Sequence, residues 1–226
     1  MLRPRPARGI TLIETLIGLT LLALLLVRAA PSMTDYLQNT RIRVAAEAVA
    51  EQVRYARAEA IARNTPLRFS LVDTLDATCT PSASGGNWVV SGLDPSGKCD
   101  WTPVVAFVPP APPNVNPGAP PPPPPPVDPW ILRKGGATGE GWDGATLTAS
   151  AAGATAASSI TFNGLGQQAA GGIRSIRVSN PGGLCMNADP PGKLRCLDVM
   201  LSVAGEARVC DPTLTDANDS RYCAAY

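Results

Sequence analysis

The sequence contains no histidine, and only 16% of its 226 residues are charged and 5% are aromatic. Without histidine the chain cannot build a Ser-His-Asp triad, a Cys-His nucleophile pair or an H-E-x-x-H zinc site. It also lacks the G-x-x-x-x-G-K-[ST] loop that binds nucleotide phosphates. These absences exclude most classes of enzyme, and we expect no catalytic residue, no cofactor and no small-molecule substrate.

The amino terminus joins a short basic segment to a long apolar one. Residues 1–9 contain three arginines, and residues 10–27 are apolar apart from three threonines, one glycine and Glu14. A helix of this run rises about 1.5 Å per residue and spans roughly 27 Å, close to the hydrocarbon thickness of a bilayer. The arginines predict a cytoplasmic amino end, and the poor small-residue cleavage site after residue 27 favours a retained single-pass anchor over a signal peptide.

Glu14 is the one acidic residue of the apolar run. A carboxylate at the centre of a membrane helix costs on the order of 2.5–3.5 kcal/mol, so Glu14 either lies close enough to the interface to stay hydrated or needs a partner. Residues 8–16 (R-G-I-T-L-I-E-T-L) resemble the class III signal of type IV pilins and type II secretion pseudopilins, in which a prepilin peptidase cuts after the glycine.

The resemblance implies how the amino terminus is processed. Cleavage falls between Gly9 and Ile10, the new amine of Ile10 is methylated, and Glu14 becomes the fifth residue of the mature chain, as in that family. The sequence departs from the family at Ile10, where phenylalanine is most frequent. When subunits form a filament, Glu14 would be buried and neutralised by the amino terminus of a neighbour, which sets the axial register.

Residues 32–63 predict a second, amphipathic helical half. Ile42, Ala46, Val49, Val53, Ala56 and Ala60 recur at steps of four and three and form one apolar stripe. Arginines and glutamates occupy the other faces, with Glu59 and Arg63 spaced for a favourable i,i+4 contact. Pro31 predicts a kink or an unwound turn between the halves, and Asn64 and Pro66 predict the helix end. Arg54 and Arg57 either face solvent or contact a neighbouring subunit or DNA.

The remaining chain predicts a β-rich head. Short β-type runs separated by turn signals favour an antiparallel arrangement. The expected strands are residues 67–72, 88–91, 104–108, 130–133, 145–148, 159–163, 173–179, 197–203 and 206–210. The fold class is therefore α+β and pilin-like, with a long helix on an antiparallel head. We divide the chain into a leader (1–9), a transmembrane and assembly helix (10–30), an amphipathic half (31–64) and a periplasmic head (65–226).

A proline tract interrupts the head. Residues 109–129 include 13 prolines, seven of them consecutive at positions 120–126. Such a run adopts polyproline II, which forms no backbone hydrogen bonds and cannot join a sheet. It is either a stiff surface insertion between strands, which we favour, or a ligand for an aromatic groove or a contact at a filament tip.

The six cysteines all follow the apolar segment. An even number in a translocated domain predicts disulfides formed in an oxidising periplasm, although six cysteines allow 15 pairings. We favour the sequentially local set, which is Cys79–Cys99, Cys185–Cys196 and Cys210–Cys223. Metal binding is disfavoured because the chain has neither a C-x-x-C pair nor a histidine. The acidic group of Asp211, Asp216, Asn218 and Asp219 lacks the EF-hand spacing and is expected to form a solvated turn.

Three further segments resemble the GspH/FimT group of minor pilins and pseudopilins. Residues 54–64 (R-Y-A-R-A-E-A-I-A-R-N) resemble the end of its helix, and residues 162–166 (F-N-G-L-G) its mid-head strand and glycine turn. Residues 201–210 (L-S-V-A-G-E-A-R-V-C) resemble its closing hairpin. The resemblance implies a non-enzymatic subunit whose partners are the prepilin peptidase, other minor and major pilins and the bacterial inner membrane. It also implies that the subunit lies in the inner membrane at first and in the pilus once assembled.

Some members of the group bind DNA through a Gly-Arg-x-Arg motif in the closing hairpin. The matching positions here are Gly205, Glu206, Ala207 and Arg208, and Glu206 would repel phosphate. Without residues 1–9 the chain carries 16 basic and 18 acidic residues, so no global field favours a polyanion. DNA binding would therefore need a local patch, for which the candidates are Arg174, Arg177, Arg195 and Arg208.

The sequence thus supports three functions. The first is a minor pilin that enters a type IV pilus tip or priming complex through its apolar helix. The second is a pilin with the same helix and head, in which the head binds DNA for uptake. The third is a pseudopilin of type II secretion.

Overall fold

The computed structural model describes residues 11–103, 130–136 and 144–223, and only the backbone of residues 26–32. The predicted leader with Gly9 and Ile10, the strand expected at 104–108 and the proline tract at 109–129 lie outside the described residues.

One long helix, α1 (Leu12–Arg63), forms the amino-terminal part of the described chain. Thr11 caps its start, because its Oγ1 accepts the backbone N–H of Glu14 at 3.3 Å. It ends as expected at Asn64, which adopts a left-handed conformation with φ 48°. The backbone remains helical through Pro31, so the alternative of an unwound turn there was wrong. Helical turns on both sides compensate for the single backbone hydrogen bond that a proline removes.

The two halves of α1 differ in their surroundings. The described side chains of residues 11–25 are all exposed, whereas the predicted stripe of Ile42, Ala46, Val49, Val53, Ala56 and Ala60 is fully buried. The buried stripe confirms the amphipathic half. No helix within the described residues combines the length and the apolar character needed to cross a membrane.

The head contains two antiparallel sheets. The first has four strands in the order β4-β3-β1-β6, and the second has five in the order β2-β5-β7-β8-β9. The strands are β1 (Leu67–Val72), β2 (Ser84–Gly85), β3 (Asn87–Ser91), β4 (Ile131–Gly136), β5 (Thr146–Ser150), β6 (Ser159–Phe162), β7 (Ser175–Ser179), β8 (Leu197–Leu201) and β9 (Ala207–Cys210). Every strand predicted within the described residues is present, with ends that differ by up to three residues. The two-residue strand β2 was missed because it is too short to show a pattern.

The main core lies between α1 and the inner faces of both sheets. Alternate strand residues point into this core, such as Leu67, Phe69 and Leu71 of β1, all of which are fully buried. Phe69 stacks on Trp88 of β3 with ring centroids 6.2 Å apart. Because α1 contacts strands of both sheets, its buried stripe holds the two sheets together.

A second, smaller core covers the opposite face of the four-stranded sheet. It contains Val72, Val89 and Ile131 together with both cysteines of the disulfide Cys79–Cys99. The chain that follows β1 and β3 folds over the sheet and is clamped there by this disulfide. The structure also contains Cys185–Cys196 and Cys210–Cys223, so the pairing is the sequentially local set.

Replacing both Cys79 and Cys99 by serine is expected to lower the free energy of unfolding by about 3 kcal/mol, because the disulfide closes a loop with a sequence separation of 20. The same change at Cys210 and Cys223 should cost less, since that loop has a separation of 13 and Cys223 is not fully buried. Urea unfolding of the full chain in detergent measures both values. Equal losses would contradict the expected dependence on loop length and on burial of the disulfide.

Candidate functional site

A groove of about 330 Å³ separates the end of α1 from the hairpin that joins β8 to β9. We call it the helix–hairpin groove. It is lined by Arg54, Arg57, Ala58 and Ile61 of α1 and by Gly205, Glu206, Ala207 and Arg208 of the hairpin. It therefore combines two of the three segments that carry the resemblance to the GspH/FimT group.

Arg54 ties α1 to the outer strand of the five-stranded sheet. Its Nε and Nη2 donate hydrogen bonds of 3.2 and 2.9 Å to the backbone oxygen of Ala207. Ala207 belongs to β9, which among the strands of the described residues has no neighbour on its outer side. Arg54 therefore satisfies a carbonyl that would otherwise remain available to another strand, which protects the sheet edge.

Arg57 fastens the mid-head turn to the helix. Its Nε donates to the backbone oxygen of Gly166 at 3.0 Å. Both Gly166 and Gly205 adopt positive φ, and a β-carbon on either would lie 3.0–3.1 Å from Arg57 Nε. The two glycines therefore permit the close packing of both turns on this side chain. Neither sequence interpretation of Arg54 and Arg57, as solvated residues or as contacts to another molecule, included these bonds within the subunit.

Replacing Arg57 by alanine is expected to lower the free energy of unfolding by about 1–2 kcal/mol, because the Gly166 carbonyl loses a charged donor. Arg43→Ala is the matched control: this arginine is on the same helix and only pairs with Glu47 on the exposed surface, 3.0 Å away, so its loss should cost under about 0.5 kcal/mol. Chemical unfolding compares the two variants. If they lose the same stability, Arg57 does not hold the turn.

Three of the four arginines proposed for a DNA patch have partners within the subunit. Arg177 forms two hydrogen bonds of 2.9 Å with Asp198 on the neighbouring strand, and these bonds raise the pKa of Arg177. Arg195 pairs with Asp211, and Arg208 donates to the backbone oxygen of Tyr222 at 3.0 Å.

The structure does not gather these arginines into one free cationic surface. Arg177 and Arg208 share the outward face of the five-stranded sheet, with β8 between them. Arg195 precedes β8, and Arg174 immediately precedes β7 with an intermediate exposure. Glu206, which replaces the first arginine of the DNA-binding motif, is exposed at the helix–hairpin groove.

Asp211 corrects the expectation of a solvated acidic turn. It is only 3% exposed and accepts hydrogen bonds from Arg195 and Thr213. Burial raises its pKa, but these bonds outweigh the effect and hold the pKa below the ordinary value. Arg195 is 16 residues from Asp211 in sequence, so the residues around Asp211 did not predict this pair. Within the described residues, no group of cysteines and acids is arranged to hold a metal ion.

The remaining predicted site residues are Glu14, the six cysteines, Gly9 and Ile10. Glu14 lies in the first turn of α1 with an exposed side chain, where a negative charge interacts favourably with the helix dipole. The six cysteines form the three disulfides described above. Gly9 and Ile10 lie outside the described residues.

Comparison with known proteins agrees with the resemblance noted in the sequence. Residues 45–205 match the family described as Type II transport protein GspH. A stretch of 69 residues is 45% identical to the type II secretion system protein H of Xanthomonas campestris pv. campestris, and covers 30% of this chain and 40% of that protein. The chain thus matches less than half the length of this relative.

Two crystal forms of the type IV minor pilin FimU of Pseudomonas aeruginosa align with 76% and 79% of this chain and 97% of theirs. Their identities are 18% and 20%, and their TM-scores are 0.41 and 0.42. Because the family match extends over residues 45–205, well over half of the chain, the protein belongs to the GspH family of minor pilins and pseudopilins.

Proposed function

We propose that this protein is a minor pilin that enters the tip or priming complex of a type IV pilus through α1 and so supports pilus biogenesis. The observation that carries the proposal is the exposed apolar half of the helix. Leu12 is 79% exposed and Leu25 is 68% exposed, and the buried stripe begins only at Ile42. At about 1.5 Å per residue, some 45 Å of helix precedes Ile42. The large apolar side chains within residues 12–25 of this helix are exposed, and an apolar surface of this kind requires lipid or other helices around it.

The same segment would act in two environments. Before assembly it would anchor the chain in the inner membrane, with the disulfide-bonded head in the periplasm. On assembly it would leave lipid and pack against the helices of other pilins. We propose that a prepilin peptidase first cuts between Gly9 and Ile10, that the new amine is methylated, and that Glu14 then pairs with the amine of a neighbour.

The second candidate is a pseudopilin of a type II secretion system. It is supported by the name of the Xanthomonas relative and by the description of the matching family. Both candidates need the same helix and the same processing, so the difference lies in which machine assembles the chain. A DNA-uptake role has weaker support, because Glu206 and the pairing of three candidate arginines oppose a phosphate-binding patch.

The experiment that tests the proposal measures the chain in sheared surface filaments. We expect it there in the parent strain, and we expect it to disappear when the pilus assembly ATPase is deleted but not when the secretion ATPase is deleted. The opposite dependence would assign the chain to type II secretion. Absence from surface filaments in every strain would contradict the pilus proposal but not the pseudopilin, which is expected in a short periplasmic filament.

Gly9→Val is expected to block processing, because the peptidase must accommodate an extended backbone next to the cut and glycine offers no side-chain obstruction. Intact-mass spectrometry of the membrane-bound protein should then show residues 1–9 still attached and no amino-terminal methyl group. Gly18→Val is the control and should be processed normally, because Gly18 belongs to the same apolar run and a β-carbon added there would have no atom within 4 Å. Normal processing of Gly9→Val would contradict the assigned cleavage site.

A further inference from the structure

The helix–hairpin groove carries an excess of positive charge. Three of its four charged lining residues are arginines and one is acidic, namely Arg54, Arg57, Arg208 and Glu206. Each arginine donates to a backbone carbonyl of the head, as Arg57 does to Gly166. A carbonyl oxygen carries no net charge, so these bonds position the guanidinium groups without cancelling their charge. Arg177 and Arg195, in contrast, are paired with carboxylates.

Two carboxylates lie near the groove, and neither neutralises its arginines. Glu206 is exposed on the hairpin, and in the part of the chain that the structure describes it forms no ion pair. Glu51 Oε2 is 4.0 Å from Arg54 Nη1, and both side chains are more than half exposed. An exposed pair at this distance contributes little, because water screens both charges. The groove therefore keeps a positive charge that favours an anionic partner.

Arg57 has the donors to bind a carboxylate. A guanidinium group carries five N–H donors, and the Gly166 oxygen uses the one on Nε. Among the described residues, no acceptor bonds to Nη1 or Nη2 of Arg57. These two nitrogens can donate side by side to both oxygens of one carboxylate, a geometry that arginine favours. Because the bond at Nε already holds the side chain, binding costs it little conformational freedom.

The groove also has an apolar wall beside these charges. Ala58 and Ile61 line it one helical turn beyond Arg54 and Arg57, and Ile61 is 47% exposed. A cavity of about 330 Å³ is at the small end of the range for binding sites, so it suits a few side chains. A partner that fits both features presents one carboxylate next to an apolar side chain.

The two acidic residues favour a polypeptide over a nucleic acid. Double-stranded DNA carries one charge per about 1.7 Å of its axis, so a duplex across the groove would bring phosphates against Glu206 and Glu51. A protein segment can place a single carboxylate on Arg57 and keep its other charges away. The proposed tip or priming complex contains other pilins, which supply such segments.

The position of the groove indicates which part of a neighbour reaches it. Arg54 is 42 residues beyond Leu12, where α1 begins, which corresponds to about 63 Å along the helix. The groove is therefore on the head, far from the apolar half of α1 that would pack against other helices. A neighbour in the same complex meets the groove with its own head.

We infer that the helix–hairpin groove binds an acidic segment in the head of a different pilin subunit, with a carboxylate on Arg57 and an apolar side chain on Ile61. Glu206 disfavours segments that carry a second carboxylate close to the first, which adds specificity. The inference rests on the proposed function, assembly with other pilins, and adds to it a contact on the head.

Photo-crosslinking of the full chain in its native membrane tests this contact. Ala58→p-benzoylphenylalanine places the probe in the groove at an exposed position of α1. On irradiation we expect an adduct with another pilin or pseudopilin, whose crosslinked peptide contains an aspartate or glutamate beside an apolar residue. Ala77→p-benzoylphenylalanine, in an exposed loop that does not line the groove, is the matched control and should give at least fivefold less of this adduct.

Removing a groove arginine tests the role of charge. Arg57→Gln in the Ala58 probe chain should lower the adduct at least fivefold, because the partner carboxylate loses its charged donor. Arg43→Gln, on the same helix and outside the groove, is the matched control and should leave the adduct unchanged.

Glu206→Gln tests the same charge in the opposite direction. It removes the acidic residue that lines the groove, and the exposed side chain is not needed for folding. The adduct should rise at least twofold, because the partner carboxylate no longer meets a like charge. A weakened head cannot produce this increase, so the result separates binding from stability.

The outcomes separate this inference from the pilus proposal. An adduct with lipid, with a second copy of this chain, with a protein outside the pilin class or with nuclease-sensitive material would overturn the groove contact. An adduct that Arg57→Gln or Glu206→Gln leaves unchanged would also overturn it. If the probe chain enters filaments and gives no adduct, the groove inference alone is refuted. If the expected adduct forms while the unmodified chain is absent from surface filaments, the pilus proposal fails and the groove contact stands.

Discussion

Replacing Glu14 by alanine is expected to reduce the amount of the chain in sheared filaments at least tenfold, while leaving its amount in the membrane fraction unchanged. In the filament Glu14 would be surrounded by apolar helices and paired with the amine of Ile10 from a neighbour. Removing one partner of a buried ion pair leaves the other charge uncompensated, at a cost of about 3–5 kcal/mol. Since about 1.4 kcal/mol is a tenfold change in an equilibrium constant, even part of this cost exceeds the expected tenfold loss.

Two further variants identify the charge as the cause. Glu14→Gln keeps the size and removes the charge, so it should assemble as poorly as Glu14→Ala. Thr15→Ala alters the adjacent residue, whose hydroxyl only bonds the Leu12 carbonyl on the same helix, and should assemble normally. Quantitative immunoblots of filament and membrane fractions measure all three. Normal incorporation of Glu14→Gln would refute the ion-pair explanation.

Replacing Gly205 by alanine is expected to lower the free energy of unfolding by about 3 kcal/mol. Gly205 has φ +82°, and a left-handed conformation costs a residue with a side chain roughly 1–2 kcal/mol. The added methyl group would also collide with the backbone oxygen of Gly166, which cannot rotate away as a side chain could. The closing hairpin and the mid-head turn would then have to separate, which weakens their contact with Arg57.

Comparison with Gly171→Ala separates the conformational penalty from the steric collision. Gly171 has φ +80° but no atom within 4 Å of a β-carbon, so alanine there suffers only the conformational penalty of about 1 kcal/mol. Urea unfolding followed by tryptophan fluorescence reports both variants, because Trp88 is buried in the main core. Equal losses at the two positions would show that the turns are free to separate.

Periodicity made the framework of this protein predictable. The apolar stripe from Ile42 to Ala60 repeats at helical spacing, and each of its members is buried. β-Type runs separated by turns marked the strands, because alternating side chains and turn residues are local properties of the chain. The disulfide partners are close in sequence, so favouring short loops identified them. The processing residues Gly9, Ile10 and Glu14 form a contiguous motif and remain predictions.

The side-chain contacts of the head could not be predicted in this way. Arg54 and Arg57 have the same charge and the same helical surroundings as arginines that face solvent. Their hydrogen bonds to Ala207 and Gly166 join positions 153 and 109 residues apart. Asp211 and Arg195 likewise meet only because β8 and β9 are paired. The candidate DNA-binding arginines could not be judged from the sequence for the same reason, since composition gives the number of arginines but not their partners.

The sequence by itself therefore determined the helix, the strands and the disulfides, because each of them depends on residues that are near one another in sequence. Tertiary packing determined which charged side chains are paired within the subunit and which side chains share a surface. Which arginines are satisfied within the subunit, as Arg57 is by the Gly166 carbonyl, depends on distances that exist only after distant segments have met.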